Sequence, residues 1–271
     1  MVAVSGKELY FIHLTDTHVN KPGLTPMYGV EAAANMRRVF EHIRTLPVKP
    51  AFVVVSGDLT HDGDAEDYRY LRQLLDEEMA ALGGVPLYPG LGNHDLRGPF
   101  REGFLSEAGE EPYYYTVDID DVRLIVLDSL LPGEVPGRID EAQMGWLRRV
   151  LEEPASGGTL IALHHPAGLT AGGLLDEHRL INHEELAEAI AGKNVLGLLS
   201  GHIHYPFFGS FHGVGTFTAP GASVGFEPCG KESIRYVDRI GYNLCVIRDG
   251  VLHAVPFILP GEQRLVKDTA E

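Results

Sequence analysis

Five short motifs in this chain carry side chains of the kind that bind hard metal ions. In chain order they are Asp16-Thr17-His18, Gly57-Asp58, Gly92-Asn93-His94-Asp95, His164-His165-Pro166 and Gly201-His202-Ile203-His204. Their carboxylate, amide and imidazole groups include no thiolate, which suits manganese, iron or zinc. A pair of such ions hydrolyses phosphate esters, because the ions hold phosphoryl oxygens and activate water. The motifs therefore predict a dinuclear metal centre and phosphoester hydrolysis.

Each motif stands at or just after the end of an apolar run that is typical of a strand. The runs that precede the motifs cover residues 8–15, 51–56, 85–88, 159–163 and 195–200. Apolar residues at helical spacing in residues 31–45 predict a helix. An acidic start at Asp64 and Asp67 and a stop before Gly83-Gly84 predict another over residues 64–82. Two further helices are predicted from the capping-box spacing of Asp140 with Gln143 and of Asn182 with Glu185. In open α/β sheets, ligands bind at the carboxyl ends of strands, where all five motifs fall.

The remaining pattern predicts additional strands and one domain. Strand-like runs on either side of residues 118–121 predict an antiparallel hairpin. Residues 215–218, 242–248 and 251–257 are strand-like, and Asp249-Gly250 is a strong hairpin turn. Residues 221–239 are the least regular and are expected to form a long loop near the site or at a subunit contact. No repeat or linker is visible, so we expect a single domain over residues 1–271. Residues 205–271 would add C-terminal strands and the loop.

Composition narrows the classes of function. The chain has 271 residues, of which 44% are hydrophobic and 22% charged, as is ordinary for a soluble globular protein. No apolar stretch is long enough to span a bilayer, and no signal peptide is visible. The two cysteines, Cys229 and Cys245, are expected to be small buried hydrophobes in a reduced setting. These features predict a cytoplasmic protein with no membrane partner.

The net charge of the chain indicates which kinds of anionic partner it can bind. A formal charge of −16 disfavours binding of long nucleic acid through its phosphates. The candidate site differs from the whole chain, because only Asp16 and Asp58 among the proposed ligands are charged. Two divalent ions would reverse the sign of the local field. An acidic protein can therefore still attract an anionic ester to this centre.

The spacing within the motifs predicts how they present their side chains. Asp16 and His18 are two residues apart, so in an extended segment they would point to the same side, and His202 with His204 should do likewise. Gly57 permits tight backbone geometry before Asp58. Seven ligands can serve two ions if one carboxylate bridges them. We expect Asp58, at the end of the central strand, to be that bridge.

The order, spacing and content of the motifs resemble the signature of the calcineurin-like metallophosphoesterase family over residues 16–204. The resemblance implies an α/β fold, a four-layer α/β/β/α sandwich with two mixed sheets flanked by helices. It also implies that one metal would be bound by Asp16, His18, Asp58 and His204. The other would be bound by Asp58, Asn93, His164 and His202. By the same resemblance, His94 is the catalytic histidine near the leaving group, and Asp95 supports catalysis by holding the loop or the imidazole.

Four residues near the motifs, His165, His61, Asp62 and Arg97, could also belong to the site. The family motif His-x-Pro makes His164 the ligand and His165 a packing or supporting residue. His61-Asp62 stands where protein serine/threonine phosphatases have Asp-Arg, a departure that disfavours a protein phosphatase. His61 would line the substrate pocket or be an exposed loop residue, and Arg97 would reach a substrate phosphate or be solvated. A structural role is expected for three other histidines, His13, His212 and His253.

Within the family, the chain most resembles the bacterial class III cyclic-nucleotide and glycerophosphodiester phosphodiesterases, through its compact length and residues 163–166 and 200–205. The resemblance implies hydrolysis of small phosphodiesters by in-line attack of a metal-bound hydroxide, and a homo-oligomer. The alternative enzyme is a phosphomonoesterase acting on a small phosphorylated metabolite. A non-catalytic scaffold of the same fold is disfavoured because every metal position is filled. A DNA-repair nuclease is disfavoured by the acidic charge.

Overall fold

The computed structural model describes residues 8–23, 29–61, 63–170, 172–229, 233–259, 261 and 265–268. Asp62 lies outside this part of the chain. The strands are β1 (Leu9–Leu14), β2 (Val53–Ser56), β3 (Leu87–Gly90), β4 (Tyr115–Ile119), β5 (Val122–Val126), β6 (Thr159–Ala162), β7 (Val195–Ser200), β8 (Phe207–Phe211), β9 (Val214–Thr218), β10 (Gly225–Pro228), β11 (Ile234–Val237), β12 (Ile240–Arg248), β13 (Val251–Leu259) and β14 (Leu265–Asp268). The helices are α1 (Ala32–Ile43), α2 (Ala65–Ala81), α3 (Arg97–Phe100), α4 (Glu141–Leu151), α5 (Leu174–Glu177) and α6 (His183–Ile190), and a π-helical turn, Arg101–Leu105, follows α3.

The strands form two large mixed sheets and one small sheet. The first sheet has the order β13-β12-β1-β2-β3, in which β1, β2 and β3 are parallel and β12 is antiparallel to β1. The second has the order β4-β5-β6-β7-β9-β8, with a parallel centre and an antiparallel pair at each edge. The small antiparallel sheet has the order β10-β11-β14. β1, β2, β6 and β7 are interior strands of the two large sheets, and the first, second, fourth and fifth motifs follow their carboxyl ends.

Alternation along the central strands divides the core into three apolar layers. Phe11 and Phe52 of the first sheet pack with Leu160 of the second, in a layer between the two sheets. The opposite face of the first sheet packs against α1 and α2, and that of the second against α4 and α6. Strands buried on both faces explain the continuous apolar runs. The expected four-layer α/β/β/α sandwich is confirmed.

Helix capping confirms one sequence signal and corrects two. Asp64 caps α2 by accepting the N–H of Glu66 at 2.7 Å. Asp140 caps α4 by accepting the N–H of Gln143, but the Gln143 side chain bonds the backbone of Asp128 instead of completing a capping box. The predicted box at Asn182 is wrong, because its side chain bonds the N–H and C=O of Ile139. Both amides satisfy buried backbone groups of another segment, a demand that local spacing does not reveal.

The C-terminal part contains more strand than the sequence indicated. The hairpin β12–β13 is confirmed, and Asp249 and Gly250 both have positive φ, as its tight turn requires. The expected long loop over residues 221–239 is wrong, because β10 and β11 pair within it. The strand β8 was also not predicted. Within the described residues, the helices are too short or too polar to cross a bilayer.

Candidate metal centre

The loops after β1 and β2 run side by side beyond the ends of the strands. The N–H groups of Asp16, His18 and Val19 donate to the C=O groups of Gly57, Asp58 and Leu59, each at 3.0 Å. These backbone bonds extend the parallel pairing of the strands past the sheet edge. The first motif is thereby placed against Asp58, although the two are about forty residues apart in sequence.

The backbone at most of the candidate ligands is left-handed rather than extended. Positive φ angles of 53°, 44°, 51°, 70° and 45° occur at Asp16, His18, Asp58, His202 and His204. The expectation that each Asp-x-His or His-x-His pair is extended is therefore wrong. A left-handed non-glycine residue costs about 1–3 kcal/mol, and such residues cluster at functional sites because the surrounding structure must hold them. Five of them in one place indicate a site in which side-chain direction is set at the expense of stability.

One group of ligand atoms surrounds Asp16. The Nε2 atom of His204 lies 3.1 Å from Oδ1 of Asp16 and 3.2 Å from Nε2 of His18. The same Nε2 atom of His18 lies 3.5 Å from Oδ2 of Asp58. These four side chains are buried, and each offers a ligand atom within 4.8 Å of the others. They match the first ligand set that the resemblance implied.

A second group converges on His164. Its Nε2 atom lies 3.3 Å from Oδ2 of Asp58, 3.2 Å from Oδ1 of Asn93 and 3.2 Å from Nδ1 of His202. The Oδ2 atom of Asp58 therefore faces both groups. This position is the one that a bridging carboxylate needs, and the seven expected side chains are all brought together.

Hydrogen bonds orient the imidazoles of both groups. Nδ1 of His164 donates to the C=O of Ser56 at 2.9 Å, and Nδ1 of His204 donates to the C=O of Val224 at 2.8 Å. Each bond puts the proton on Nδ1 and leaves Nε2 free to act as a ligand. His165 instead bonds Ser129 and the C=O of Val135 through its two ring nitrogens. His164 is therefore the better placed ligand, and His165 supports the site.

Gly57 and Gly92 allow these groups to approach each other. Gly57 has a φ of +107°, and a Cβ there would lie 2.7 Å from Nδ1 of His164 and from the N atom of Gly92. A Cβ at Gly92 would clash with Oδ1 and the N atom of Asp58. The tight backbone geometry expected at Gly57 is present, and any side chain would force the ligands apart.

The pKa values of the candidate ligands favour an ionised carboxylate at Asp58, which can bind cations. Burial would raise the pKa of Asp58, but His164 and His18 outweigh it and hold that pKa well below its ordinary value. Against burial, Asp58 and Asp16 raise the pKa of His164 to about 9. Burial keeps the pKa of His18 well below its ordinary value. A cation bound at Nε2 of His164 would displace the second proton of the imidazolium, and the Nδ1 proton would stay hydrogen-bonded to the C=O of Ser56.

His94 and Asp95 have different surroundings. The His94 side chain is exposed, and the backbone N–H of His94 donates to Oδ1 of Asp58 at 2.9 Å. Asp95 is buried and accepts the N–H groups of Leu59 and Gly92 at 3.1 and 2.8 Å. Burial and the charge of Asp58 raise the pKa of Asp95 to about 6. Asp95 therefore holds the loop in place rather than the His94 imidazole, and it is a positioning residue.

The two expected substrate residues also differ. His61 lies in the cluster, with its ring stacked on His94 at a centroid distance of 4.8 Å. Arg97 instead forms a two-point ion pair with the buried Asp128, at 2.8 and 3.1 Å, and donates to the C=O of Leu130. This pairing commits the guanidinium to the fold, so both sequence interpretations of Arg97, as a substrate contact or as a solvated residue, are wrong. The three histidines expected to be structural do not belong to the metal-facing groups.

Sequence reasoning missed three residues that support the site. Tyr68 on α2 donates its hydroxyl to Asp95 at 2.8 Å and accepts the N–H of Leu96 at 3.0 Å. Phe226 on β10 stacks on His204 with centroids 4.1 Å apart, and Ser223 donates to the C=O of Asp16 at 2.8 Å. Residues 223–226 therefore lie against the centre, within the segment 221–239 that was expected near the site or at a subunit contact, but their individual contacts were not predicted. Their positions come from long-range packing, and no local spacing signals them.

The residues present fit a pair of metal ions. The ligand atoms are oxygens and imidazole nitrogens, and they form two groups, each of which has an imidazole within 3.5 Å of Oδ2 of Asp58. Carboxylate oxygens and neutral imidazoles are the ligands that dinuclear hydrolytic centres use. The fit rests on this arrangement of donors.

Comparison with known proteins agrees with this geometry. A family model for calcineurin-like phosphoesterases matches residues 9–206. A probable cyclic nucleotide phosphodiesterase of Rhodococcus erythropolis is 34% identical, over 76% of this chain and 68% of that protein. A cAMP/cGMP dual specificity phosphodiesterase of Mycobacterium tuberculosis is 35% identical, over 75% of this chain and 64% of that protein. The chain thus spans about two thirds of the length of these two relatives.

Solved structures share the fold. A dimetal phosphatase from Danio rerio superposes with a TM-score of 0.61, covering 92% of this chain and 98% of that chain, at 17% identity. Identity this low shows the fold alone. The family match covers most of the chain and includes the five motifs. The chain therefore belongs to the calcineurin-like phosphoesterase family, a family of metal-dependent hydrolases.

Proposed function

We propose that the chain is a dinuclear-metal phosphodiesterase that hydrolyses small phosphodiesters, cyclic nucleotides or glycerophosphodiesters. The observation that carries the proposal is the position of Asp58, whose Oδ2 atom faces both groups of ligand atoms. The names of the relatives, which are cyclic-nucleotide phosphodiesterases, support the substrate class. Hydrolysis of a phosphomonoester is the alternative.

The first ion would be held by Asp16, His18, Asp58 and His204, and the second by Asp58, Asn93, His164 and His202. Manganese, iron or zinc would suit these donors, because oxygen and imidazole ligands occur without thiolate. When bound, the ions would neutralise charge on the phosphoryl group and lower the pKa of a water molecule. The expectations of a cytoplasmic location and of a homo-oligomer stay predictions.

The chain's own contribution to the reaction would centre on His94. The backbone N–H of His94 donates to the carboxylate of Asp58, which would bridge the ions. The ring Nδ1 of His94 donates to the C=O of His61 at 3.4 Å. A carbonyl only accepts, so Nδ1 carries a proton. His94 can then donate a second proton, from Nε2, only as an imidazolium. We assign it the role of acid toward the departing oxygen, a step that contributes about 10²–10⁴-fold in rate.

Substitution of His94 tests this role. His94→Ala should retain both metals, because His94 belongs to neither ligand group, and should lose about 10²–10⁴-fold in kcat on a diester with a poor leaving group. The loss should be smaller with p-nitrophenolate, which departs without a proton. Undiminished turnover of the poor leaving group would refute the assignment.

Parallel assays separate the candidate functions. Purified protein with added manganese is assayed on bis-p-nitrophenyl phosphate, p-nitrophenyl phosphate and cAMP. Faster hydrolysis of the diesters is expected. Preference for the monoester would favour the phosphomonoesterase, and silence on all three with no bound metal would favour a scaffold.

A further inference from the structure

One imidazole of the centre has an unusual supporting contact. His164 and His204 direct Nε2 toward the ligand cluster and donate Nδ1–H to backbone C=O groups, at 2.9 and 2.8 Å. His18 also directs Nε2 toward the cluster, at 3.2 Å from Nε2 of His204. Its Nδ1 atom, however, faces Nδ1 of His61 at 3.5 Å. A side chain therefore stands where the other two imidazoles have a carbonyl.

This contact constrains the protons on both rings. A histidine that binds a metal through Nε2 carries its proton on Nδ1, so His18 must be the donor toward His61. Nδ1 of His61 can accept only as a lone pair, which places the proton of the neutral His61 ring on Nε2. This assignment of the two protons applies to the protein with a metal ion bound at Nε2 of His18.

Both backbone groups of His61 are hydrogen-bonded to side chains. Its N–H donates to Oδ1 of Asn20 at 3.1 Å, and its C=O accepts Nδ1–H of His94 at 3.4 Å. The His61 ring is half-buried, stacks on His94 at an interplanar angle of 23°, and meets His18 edge-on. His61 thus contacts one candidate ligand and the candidate acid through separate atoms.

We propose that His61 is a positioning residue that accepts the Nδ1–H of His18 and thereby sets the orientation and donor strength of that ligand. The inference rests on the proposed metal centre. It assigns His61 a role in the strength of metal binding at the group around Asp16, which is distinct from lining a substrate pocket. Partners of this kind typically account for about 10–100-fold in metal affinity.

Two substitutions of His61 test the roles of its two ring nitrogens separately. In His61→Asn, the amide oxygen can occupy the place of Nδ1 and keep an acceptor for His18. In His61→Gln, the amide lies near the place of Nε2, and the acceptor at Nδ1 is lost. His253→Gln, at an exposed residue of β13, is the matched control for loss of a histidine. The readout is Mn²⁺ binding, by calorimetric titration of metal-stripped protein and by metal content after dialysis.

We expect His61→Gln to weaken one of the two Mn²⁺ sites by about 10–100-fold. His61→Asn should remain within about threefold of the wild type, and His253→Gln should be unchanged. In a His18→Ala background, His61→Gln should have no further effect, because the ligand it supports is gone. Wild-type Mn²⁺ affinity in His61→Gln, or equal losses in His61→Asn and His61→Gln, would overturn the proposal.

The design also distinguishes this proposal from the proposed function. If the wild type bound two Mn²⁺ ions but hydrolysed no ester, the proposed function would fail while the role of His61 could still be measured. If the wild type bound no Mn²⁺, the metal centre itself would be wrong, and the role of His61 would fall with it. Activity of the loaded protein is not needed for either conclusion.

Discussion

Tyr68 offers a sharp test of how the metal-binding loop is held. It is fully buried on α2, and its hydroxyl both donates to Oδ1 of Asp95 at 2.8 Å and accepts the N–H of Leu96 at 3.0 Å. Tyr68→Phe removes these two bonds and leaves the ring in place. The substitution therefore probes the hydroxyl without opening a large cavity.

The expected loss of stability in Tyr68→Phe depends on the two groups that the hydroxyl bonds, the carboxylate of Asp95 and the N–H of Leu96. A hydrogen bond to a charged group is worth about 1.5–3 kcal/mol, and one between neutral groups about 0.5–1.5 kcal/mol. Asp95 keeps its backbone donors at Leu59 and Gly92, so its carboxylate is not left bare. We expect a loss of about 2–4 kcal/mol in the free energy of unfolding of the metal-free protein. At about 2 °C for each kcal/mol in a chain of this size, Tm should fall by about 4–8 °C.

Urea unfolding of the metal-free protein measures this loss directly. Tyr70→Phe is the matched control, because Tyr70 is a half-buried residue of the same helix whose hydroxyl makes no hydrogen bond within the described part of the chain. Mn²⁺ affinity should also fall in Tyr68→Phe, because the loop that carries Asn93 loses an anchor. A loss below about 0.5 kcal/mol, or an equal loss in Tyr70→Phe, would refute the reasoning.

Three further predictions concern the ligands and their supports. Asp58→Asn removes the shared carboxylate and should release both ions on dialysis, whereas Asp16→Asn should release one; two ions retained by Asp58→Asn in elemental analysis would contradict the bridge. Gly57→Ala places a Cβ 2.7 Å from Nδ1 of His164 at a φ of +107° and should cost about 3 kcal/mol in urea unfolding; an unchanged unfolding free energy would disprove the close packing. Burial lowers the pKa of His13 to about 3, against 6.5 ordinarily, so below that ordinary value the unfolded chain binds a proton that the folded one does not. Through His13, the metal-free wild type should lose about 1.4 kcal/mol of unfolding free energy for each pH unit between about pH 6 and about pH 4, and His13→Asn should lack this contribution. An equal dependence of unfolding free energy on pH in the two proteins would contradict the buried neutral ring.

Much of the fold could be predicted because its signals are local. The apolar run over Val53–Ser56 is buried on both faces, and α1 buries the residues that recur at helical spacing, such as Met36 and Phe40. The Asp249-Gly250 turn lies between two strands of matching length. Motifs at strand ends could be assigned to one edge of the sheets because parallel strands bring their carboxyl ends together.

The remainder depends on contacts between distant segments. Neither the left-handed backbone of Asp16 nor that of His204 follows from residue type, because Asp and His adopt it only where the surroundings hold them. The engagement of Arg97 with Asp128 depends on where β5 ends beside α3. The strand β10 lacks an alternating pattern and forms because Phe226 stacks on His204 and the backbone pairs with β11. Residue types at fixed spacing therefore identify the candidate ligands but not the groups that orient them.

The central claim is that two ions, held by the two groups that share Asp58, hydrolyse a phosphodiester. Metal-stripped protein is titrated with Mn²⁺, and hydrolysis of bis-p-nitrophenyl phosphate is measured against the number of ions bound per chain. The account predicts that activity is absent without metal and reaches its plateau at two ions per chain. Full activity at one ion per chain, or activity that persists in the stripped protein, would contradict it.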